Sequence, residues 1–436
     1  MRRVFWKREI RAILLLAGVT GVVLGGTACG LKASPEEAEV ERNVSISFWN
    51  VFTGPDGEIM QQIVDDFNRE YEGKIQVVTS VFSAESYYST LSSAMIGGTA
   101  PDVCISHSSR IANFAQKEQL CVLDDLVKEL GYSEEDFLPS AWENGTYQGK
   151  HYGIPLDIHQ LGLYYNEDLL RELEIDQVPD NLPDFIAAAR QATSDLDGDG
   201  KNDRWGFAID PSVMSEQMFL SFLYQFGGDA FSEDKTRAAY HSEAGVKALT
   251  LMKDMIYNYQ ISPESISLDS AVTMFEEGKL LFYANGPWML SELNEIQGLN
   301  FGVVGFPKFG DTEGVWADSH NLVIPAYRKQ SQEKTEAIRL FAGYLLDHEL
   351  EWAKAGHVPA VTAVLESEEY QEFEIMRPFY EKLDTAKILW GSVCYEDYIG
   401  TLAEYIQKVL AGDMEVETAL EAAEKDGMNK IQARQG

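Results

Sequence analysis

Apolar and polar residues alternate with two different periods in the first part of the folded chain. Period-two alternation predicts strands, because successive side chains of a strand point to opposite faces, and apolar residues three and four positions apart predict helices. The predicted strands span 45–50, 75–81 and 103–106, and the predicted helices lie near 59–71, 87–96 and 110–116. Strands that alternate with helices predict α/β layers with parallel strand pairing.

The segment 152–166 is long, extended in character, and contains Pro155. Because proline has no N–H to donate within a central strand, we interpret this segment as a strand that crosses between two lobes. Further along the chain, amphipathic spacing predicts long helices near 183–193, 245–259 and 333–347.

The net charge narrows the possible functions. The 436 residues include 70 Asp and Glu against 35 Lys and Arg, a formal net charge of −35. A surface this acidic repels nucleic-acid phosphates and anionic lipid head groups, which excludes nucleic-acid binding and peripheral membrane binding. With 45% apolar residues the chain can fill hydrophobic cores, and at about 150 residues per domain its length predicts two or three domains.

The N-terminal segment differs from the rest of the chain. Basic residues precede an apolar run from Ala12 to Leu24, which is followed by small residues and then Cys29. Residues 1–28 therefore have the pattern of a secretory signal peptide, and the apolar run is shorter than the about 20 residues that a membrane-spanning helix needs. A permanent transmembrane anchor is the alternative.

The small residues before Cys29 resemble the lipobox of bacterial lipoproteins, which implies that Cys29 is acylated and becomes the new N-terminus. Residues 29–43 are polar and acidic and have no apolar period, as expected of a flexible tether. We therefore expect the protein at the cell surface, on the extracellular side of the cytoplasmic membrane and held there by its lipid anchor only.

The other cysteines are Cys104, Cys121 and Cys394. An odd number of widely spaced cysteines predicts neither a disulfide framework nor a zinc pattern. A bridge between Cys104 and Cys121 is left open.

Six short segments, taken in order, resemble the extracellular solute-binding proteins of sugar ABC importers, the family that includes maltose-binding protein. They are 48–50, 97–102, 152–157 running into 163–166, 275–279, 285–288 and 356–360. The resemblance implies a periplasmic-binding-protein-like α/β fold, with two α/β lobes joined by a three-segment hinge and a ligand cleft between them.

The resemblance also implies where the lobes begin and end. The hinge segments would lie near 154–159, 315–321 and 358–363. The N-terminal lobe would comprise 44–155 and 322–357, and the C-terminal lobe 158–315 and 362–436.

Tryptophans are the first candidates for sugar binding, because a planar ring can lie under the apolar face of a sugar. Trp288 follows Gly286-Pro287 at the start of a helix, and the matching residue of the family stacks on sugar. Trp49 ends the first strand, where binding residues of open α/β sheets gather, and Trp390 lies beside Gly391. For Trp49 and Trp390, packing in the protein is an equal alternative, and Trp352 is expected to pack.

Polar candidates lie on the implied hinge and at the end of the third strand. Asp157 and His159 alternate with Ile158, which would point both toward the cleft. The further candidates are His320 in the second crossing and His107, Ser109 and Arg110 after the strand 103–106, which matches the ligand-contacting loop of the family. For each of these six residues, a structural hydrogen-bonding role is the alternative.

The segment 195–203 has the oxygen spacing of an EF-hand calcium loop. The ligands would be the carboxylates of Asp195, Asp197, Asp199 and Asp203 and the carbonyl of Lys201. Position 12 of the loop is Gly206, so the bidentate Glu is missing. We predict a structural calcium ion here, with a solvated acidic turn as the alternative.

Together these features predict a binding protein that captures a neutral carbohydrate, an oligosaccharide, outside the cell and delivers it to an ABC importer. It would act as a monomer, with the sugar and the permease subunits of the importer as partners. The chain lacks the Gly-x-Ser-x-Gly elbow, the phosphate loop and the His-Glu-x-x-His helix, so no catalysis is predicted. The alternative function is a calcium-stabilised surface adhesin or glycan-docking module.

Overall fold

The computed structural model describes residues 43–326 and 331–435. The predicted signal peptide, lipidated Cys29 and nearly all of the predicted tether lie outside the described residues. In the part of the chain that is described, none of the helices combines the length and the apolar character needed to cross a membrane.

The strands are short and lie mostly in the first half of the chain. In chain order they are β1 Val44–Asn50, β2 Ile75–Val81, β3 Val103–His107, β4 Thr146–Tyr147, β5 Lys150–His151, β6 Ile154–Pro155, β7 Asp157–Gln160, β8 Gly162–Asn166, β9 Phe282–Asn285, β10 Phe301–Gly305, β11 Val315–Asp318, β12 His320–Val323, β13 Val358–Pro359 and β14 Ala386–Ile388.

The helices dominate the second half. They are α1 Pro55–Glu70, α2 Ala84–Gly97, α3 Ser108–Gln116, α4 Asp124–Glu129, α5 Pro139–Asn144, α6 Glu167–Glu172, α7 Leu182–Ala192, α8 Val213–Gln225, α9 Glu243–Tyr257, α10 Leu268–Glu276, α11 Leu290–Glu295, α12 Gln332–Asp347, α13 Glu349–Ala353, α14 Thr362–Leu365, α15 Glu368–Gln371, α16 Arg377–Tyr380, α17 Thr401–Leu410 and α18 Val416–Gln435. Single turns of 3₁₀-helix and one stretch of π-helix, Glu396–Gly400, complete the set among the described residues.

The predicted alternation of strands and helices is confirmed. β1, α1, β2, α2, β3 and α3 follow one another as the hydrophobic periods predict, and β1 pairs in parallel with both β2 and β3. The long helices predicted further along the chain are α7, α9 and α12, with bounds shifted by two residues or fewer.

The first sheet has five strands in the order β2-β1-β3-β12-β6. Its first three strands are parallel, whereas β12 pairs antiparallel with β3 and with β6. Phe48 of β1 packs edge-on against Phe341 of α12, with ring centroids 5.3 Å apart, and both rings are fully buried. β3 lies in the middle of this sheet, between β1 and β12, so the residues at its carboxyl end are positioned by a strand on each side.

The second group of strands forms a four-stranded sheet, β13-β7-β11-β14, and a three-stranded sheet, β10-β8-β9. β11 is antiparallel to β7 and parallel to β14, so the four-stranded sheet is mixed. The largest apolar cluster of the described residues lies beside these strands and is rich in residues of α7, α8, α9 and α17.

Three short segments connect the two groups of strands. β6 belongs to the first sheet and β7 to the second, with only Leu156 between them. The chain returns from the second group to the first sheet between β11 and β12, with only Ser319 between these two strands. β13 pairs with β7 through Val358 and Ile158. The predicted lobe boundaries remain a prediction.

Cys104, Cys121 and Cys394 are free thiols, so the bridge that the sequence left open between Cys104 and Cys121 is not formed.

Candidate functional site

A cluster of imidazoles surrounds one buried carboxylate where the three connecting segments meet. We call Asp157, His159, His320 and His357 the buried tetrad. Asp157 and His159 are two positions apart on β7 and therefore share one face of the strand. His320 begins β12, and His357 directly precedes β13. Each connecting segment thus contributes to the tetrad, and all four residues are buried.

The Asp157 carboxylate is the hydrogen-bonding centre of the tetrad and is fully buried. Its Oδ1 lies 3.0 Å from His159 Nδ1, and its Oδ2 lies 2.9 Å from His320 Nδ1. The indole N–H of Trp352 donates to Oδ2 at 2.8 Å, and the backbone N–H of His320 donates to Oδ1 at 3.1 Å. A carboxylate with this many donors is held in one orientation.

The electrostatics of the tetrad follow from burial and close contact. Burial alone would raise the pKa of Asp157, but His320 and His357 nearby and the hydrogen bond from His159 hold this pKa well below its usual value. Burial lowers the pKa of His320 to about 4. At neutral pH, therefore, Asp157 is ionised and the His320 imidazole is neutral.

His107 links the tetrad to the end of β3. Its ring centroid lies 4.7 Å from that of His320, and its Nδ1 forms a hydrogen bond with the Tyr88 hydroxyl. Burial, reinforced by His320 and His159, lowers its pKa well below the usual range. His107 is half-buried, so it is the imidazole beside the tetrad with a more accessible surface.

Trp288 lies against the other side of the cluster. Gly286 and Pro287 start a 3₁₀ turn that places its half-buried indole edge-on to His159, with ring centroids 5.8 Å apart. Trp316 of β11 lies 5.9 Å from the same imidazole and is buried. Two indoles therefore flank His159, next to polar imidazole nitrogens.

Arg110 lies in the first turn of α3, between two tyrosines. Its guanidinium carbon is 4.7 Å from the ring centroid of Tyr88 and 4.5 Å from that of Tyr395, and Arg110 forms an ion pair with Glu396. The three side chains line a cavity of about 230 Å³ together with Glu396. The side chain of Arg110 is thus ordered by cation–π contacts and remains half-buried.

Ser109 and Glu216 are buried beside this group. The Ser109 hydroxyl donates to Asp318 Oδ2 at 2.8 Å, and burial raises the pKa of Asp318. The Tyr395 hydroxyl donates to Glu216 Oε1 at 3.3 Å, and burial raises the pKa of Glu216 to about 7.

Two predicted tryptophans lie apart from the tetrad. Trp390 lines a cavity of about 300 Å³, which has Glu143 and Asn144 of α5 on another side. The Lys235 ammonium lies 3.6 Å from the centroid of the Trp390 ring and donates to its carbonyl oxygen at 2.9 Å. Trp49 packs against Phe82, with ring centroids 4.7 Å apart. Trp49 belongs to the same apolar cluster as Tyr88, which bonds His107, whereas Trp390 contacts none of the tetrad residues among the described contacts.

The acidic loop is exposed and closes on its own backbone. Carboxylate oxygens of Asp195, Asp197 and Asp203 lie within 4.8 Å of one another and could hold a metal ion, whereas Asp199 is not part of this group. Asp195 accepts from the N–H groups of Gly198 and Gly200, and these hydrogen bonds lower its pKa. Three of the predicted carboxylates therefore converge.

Sequence reasoning missed His357, Trp316, Asp318 and Glu216. The first three lie in or next to the implied hinge segments. Their position in sequence could therefore have identified them as candidates. Glu216 lies inside α8 and had no such signal. Trp352 was expected to pack, and it does lie in the core, with 2% of its surface exposed.

Comparison with known proteins gives consistent matches over most of the chain. The family described as bacterial extracellular solute-binding protein matches residues 53–351. The galactooligosaccharide-binding protein of Bacillus subtilis (strain 168) is 22% identical over 449 residues. The aligned region covers 98% of this chain and 98% of that protein. The maltodextrin-binding protein MdxE of the same organism is 22% identical over 382 residues, which cover 84% of each chain.

One similar solved structure is the maltose/maltodextrin-binding domain MalE from Bdellovibrio bacteriovorus bound to maltotriose. It superposes with a TM-score of 0.81 at 22% identity, covering 89% of this chain and 100% of that chain. The likeness confirms the predicted α/β periplasmic-binding-protein fold, with its two mixed sheets.

Proposed function

The chain belongs to the family of bacterial extracellular solute-binding proteins, and from this premise we propose that it captures an oligosaccharide outside the cell for an ABC importer. The family binds solutes, so the chain is not an enzyme. Relatives that cover most of the chain are named for galactooligosaccharides and maltodextrins, which supports a neutral sugar as the ligand.

The observation that carries the proposal is the meeting of aromatic rings and polar groups around His159. Trp288 offers a half-buried indole face, and His107 and Arg110 offer half-buried polar groups held by Tyr88. Sugars are bound by this combination, because their C–H faces stack on aromatic rings and their hydroxyls need donors and acceptors at the rim.

We propose that the half-buried residues contact the sugar directly and that the buried residues support them. The direct contacts would be Trp288, His107, Arg110, Trp49 and Trp390. The supporting set would be Ser109, Asp157, His159 and His320, whose polar atoms already bond within the protein. The cavity beside Trp390 supports a role for this tryptophan in a more distant part of a long ligand.

For the acidic loop we propose calcium as the bound metal. Oxygen ligands alone are the preference of a hard cation, and Gly198 and Gly200, with φ of 80° and 91°, provide the tight turns that the loop needs. The loop is exposed and lies outside the connecting segments, so its role would be structural.

We propose that Cys29 carries the lipid that holds the protein at the outer face of the cytoplasmic membrane. A relative from Streptococcus pneumoniae is named as a solute-binding lipoprotein. The partners would be the sugar and the permease subunits, and the protein would act as a monomer without nucleic acid. If the anchor is lipid, Cys29→Ser releases the protein from membranes, whereas retention of this variant would favour an uncleaved helix.

A panel of sugars tests the proposed function directly. Maltodextrins, galactooligosaccharides and arabinooligosaccharides are added separately, and the melting temperature and tryptophan fluorescence are recorded. A ligand present at 100 times its dissociation constant adds about 2.7 kcal/mol to the free energy of unfolding. We expect one class to raise the melting temperature without release of reducing ends. If none of the sugars produces a shift while amino acids or peptides do, the carbohydrate assignment is wrong.

A further inference from the structure

The buried tetrad offers donor atoms at distances that suit a metal ion. One atom from each residue lies within 4.8 Å of the others. Asp157 Oδ2 lies 2.9 Å from His320 Nδ1 and 3.6 Å from His357 Nδ1, and Asp157 Oδ1 lies 3.0 Å from His159 Nδ1. In a tetrahedral zinc site with bonds of about 2.0 to 2.1 Å, neighbouring ligand atoms are about 3.3 Å apart. The measured distances lie on both sides of this value.

His357 supplies an independent observation. Its ring is fully buried, and neither ring nitrogen has a hydrogen-bond partner among the described residues. Buried polar atoms are rarely left in this way, because an unpaired donor or acceptor is costly. A ring stacked 4.3 Å from Trp352 at 13° is also held in one orientation. The structure therefore presents a fixed imidazole whose nitrogens are available.

The surroundings of the tetrad match those of metal ligands in part. His357 Nε2 lies on the side of Asp56, 3.9 Å from a carboxylate oxygen and therefore beyond hydrogen-bonding distance, while its Nδ1 faces Asp157. Histidine ligands commonly direct their second nitrogen toward a carboxylate, and carboxylate ligands are themselves hydrogen-bonded. Asp157 meets the second condition through the indole N–H of Trp352 and the backbone N–H of His320.

Charge also favours a cation at this point. Asp157 is fully buried, and in the described part of the chain its ion-pair partners are imidazoles, with neither lysine nor arginine among them. Three imidazole nitrogens and one carboxylate oxygen suit zinc and its neighbours among the transition metals, whereas calcium and magnesium prefer oxygen alone.

From this geometry we infer that the buried tetrad binds one divalent transition-metal ion, and specifically zinc. The ion would be held by Asp157, His159, His320 and His357, with the proton of each imidazole on the nitrogen that faces away from the metal. Zinc would therefore take the place of the protons through which His159 Nδ1 and His320 Nδ1 bond Asp157 in the metal-free chain. Because the four ligands come from all three connecting segments, the ion would tie these segments together. The inference goes beyond sugar binding and does not depend on it.

The test uses the full chain carrying Asp203→Asn, so that the acidic loop does not contribute. The protein is stripped with a chelator and titrated with zinc against a chromophoric competitor, and metal content is measured after desalting. We expect one zinc ion per chain and a rise in melting temperature on zinc addition. His357→Gln and Asp157→Asn should each weaken zinc binding at least tenfold.

Matched controls come from two histidines outside the tetrad. His151 is also buried and stacks on Trp142, and His241 is half-buried between Glu417 and Glu424. Neither His151→Gln nor His241→Gln should change the amount of zinc bound. Loss of binding in His241→Gln, with binding retained in His357→Gln, would place zinc at the surface and overturn the inference.

Cobalt spectroscopy provides a second test that needs no substitution in the tetrad. It therefore remains informative if a tetrad variant does not fold. Cobalt(II) bound to three imidazoles and a carboxylate in a tetrahedral site gives strong visible d–d absorption, whereas an octahedral surface site gives weak absorption. We expect the strong spectrum at one equivalent, displaced by zinc. A weak spectrum, or failure to retain either metal, would refute the site even if the sugar panel identifies a ligand.

Discussion

Gly286→Ala moves Trp288 without changing Trp288 itself, and this makes it the sharpest test of the proposed sugar contact. A Cβ built on Gly286 would lie 1.9 to 2.3 Å from three atoms at the far end of the indole. Ordinary van der Waals contact begins at 3.4 Å, so the ring must move by roughly 1.5 Å. The indole is half-buried and has room to move toward its exposed side.

The backbone should tolerate this substitution. Gly286 has φ of −89° and ψ of 173°, a conformation open to alanine. Its carbonyl oxygen accepts a hydrogen bond from the Tyr164 hydroxyl at 2.7 Å, and alanine retains this oxygen. Overpacking in a closed core costs about 1 to 3 kcal/mol. Because the indole can move toward its exposed side, we expect a loss of stability at the lower end of this range, about 1 kcal/mol.

The expected effect on binding is larger than the effect on folding. An aromatic contact contributes about 0.5 to 1.5 kcal/mol beyond the buried area, and apolar area adds about 25 cal/mol per Å². A displaced indole loses most of both contributions, so the dissociation constant should rise about tenfold, and Trp288→Ala should raise it at least as much.

The assay is a fluorescence or calorimetric titration with the best sugar of the panel, run beside a urea melt of each variant. Gly97→Ala serves as the control, because a Cβ there meets only Thr99 Oγ1 at 3.8 Å. Sugar affinity equal to that of the natural chain in both Gly286→Ala and Trp288→Ala would refute the contact. A fall in affinity that follows a large loss of stability would instead make Trp288 a packing residue.

Three further predictions concern the loop, a buried acid and the centre of the tetrad. Calcium should raise the melting temperature of the natural chain but not of Asp203→Asn; equal shifts in both proteins would remove calcium from the loop. The folded state raises the pKa of Glu216 from 4.5 to about 7, so this residue should make stability fall as pH rises through that interval, by up to about 3 kcal/mol. Burial also raises the pKa of Glu349, to about 8, so Glu216→Gln should reduce the fall seen in urea melts without abolishing it, and an unchanged fall would refute the role of Glu216. Trp352→Phe removes the indole N–H that donates to the ionised Asp157 carboxylate at 2.8 Å, and in chelated protein it should lower the free energy of unfolding by about 2 to 3 kcal/mol; a change below 1 kcal/mol would show that this bond has little weight.

Local patterns predicted the elements of the fold well. Alternation at 45–50 identified β1, and the spacing of Ile59, Ile63 and Phe67 identified α1, because both periods are set by neighbours in sequence. The same logic placed Asp157 and His159 on one face of a strand, and in the structure they share a hydrogen bond of 3.0 Å. The acidic loop was also predictable in part, since three of its carboxylates converge within nine residues.

Contacts between distant segments could not be predicted in this way. Asp157 and Trp352 are 195 positions apart, yet their hydrogen bond lies at the centre of the tetrad. Nothing in the spacing of either segment encodes that pairing, because it depends on how β7, β12 and β13 come together. His357 lay inside a segment that supported the family resemblance, but its approach to Asp157 needed the three-dimensional arrangement.

The tetrad connects the proposed sugar contacts to the segments that join the two groups of strands. His159 touches Trp288 on one side and Asp157 on the other, so a displacement of the indole would act on the ring that donates to the buried carboxylate. Asp157 in turn bonds residues of β12 and α13. A buried ion pair or network is costly when one member is removed, since the remaining charge lacks its partners. We therefore expect the proposed sugar binding at Trp288 and the relative position of the connecting segments to be coupled through one carboxylate. A bound zinc ion would replace the imidazole hydrogen bonds of Asp157 and would hold the same residues in place.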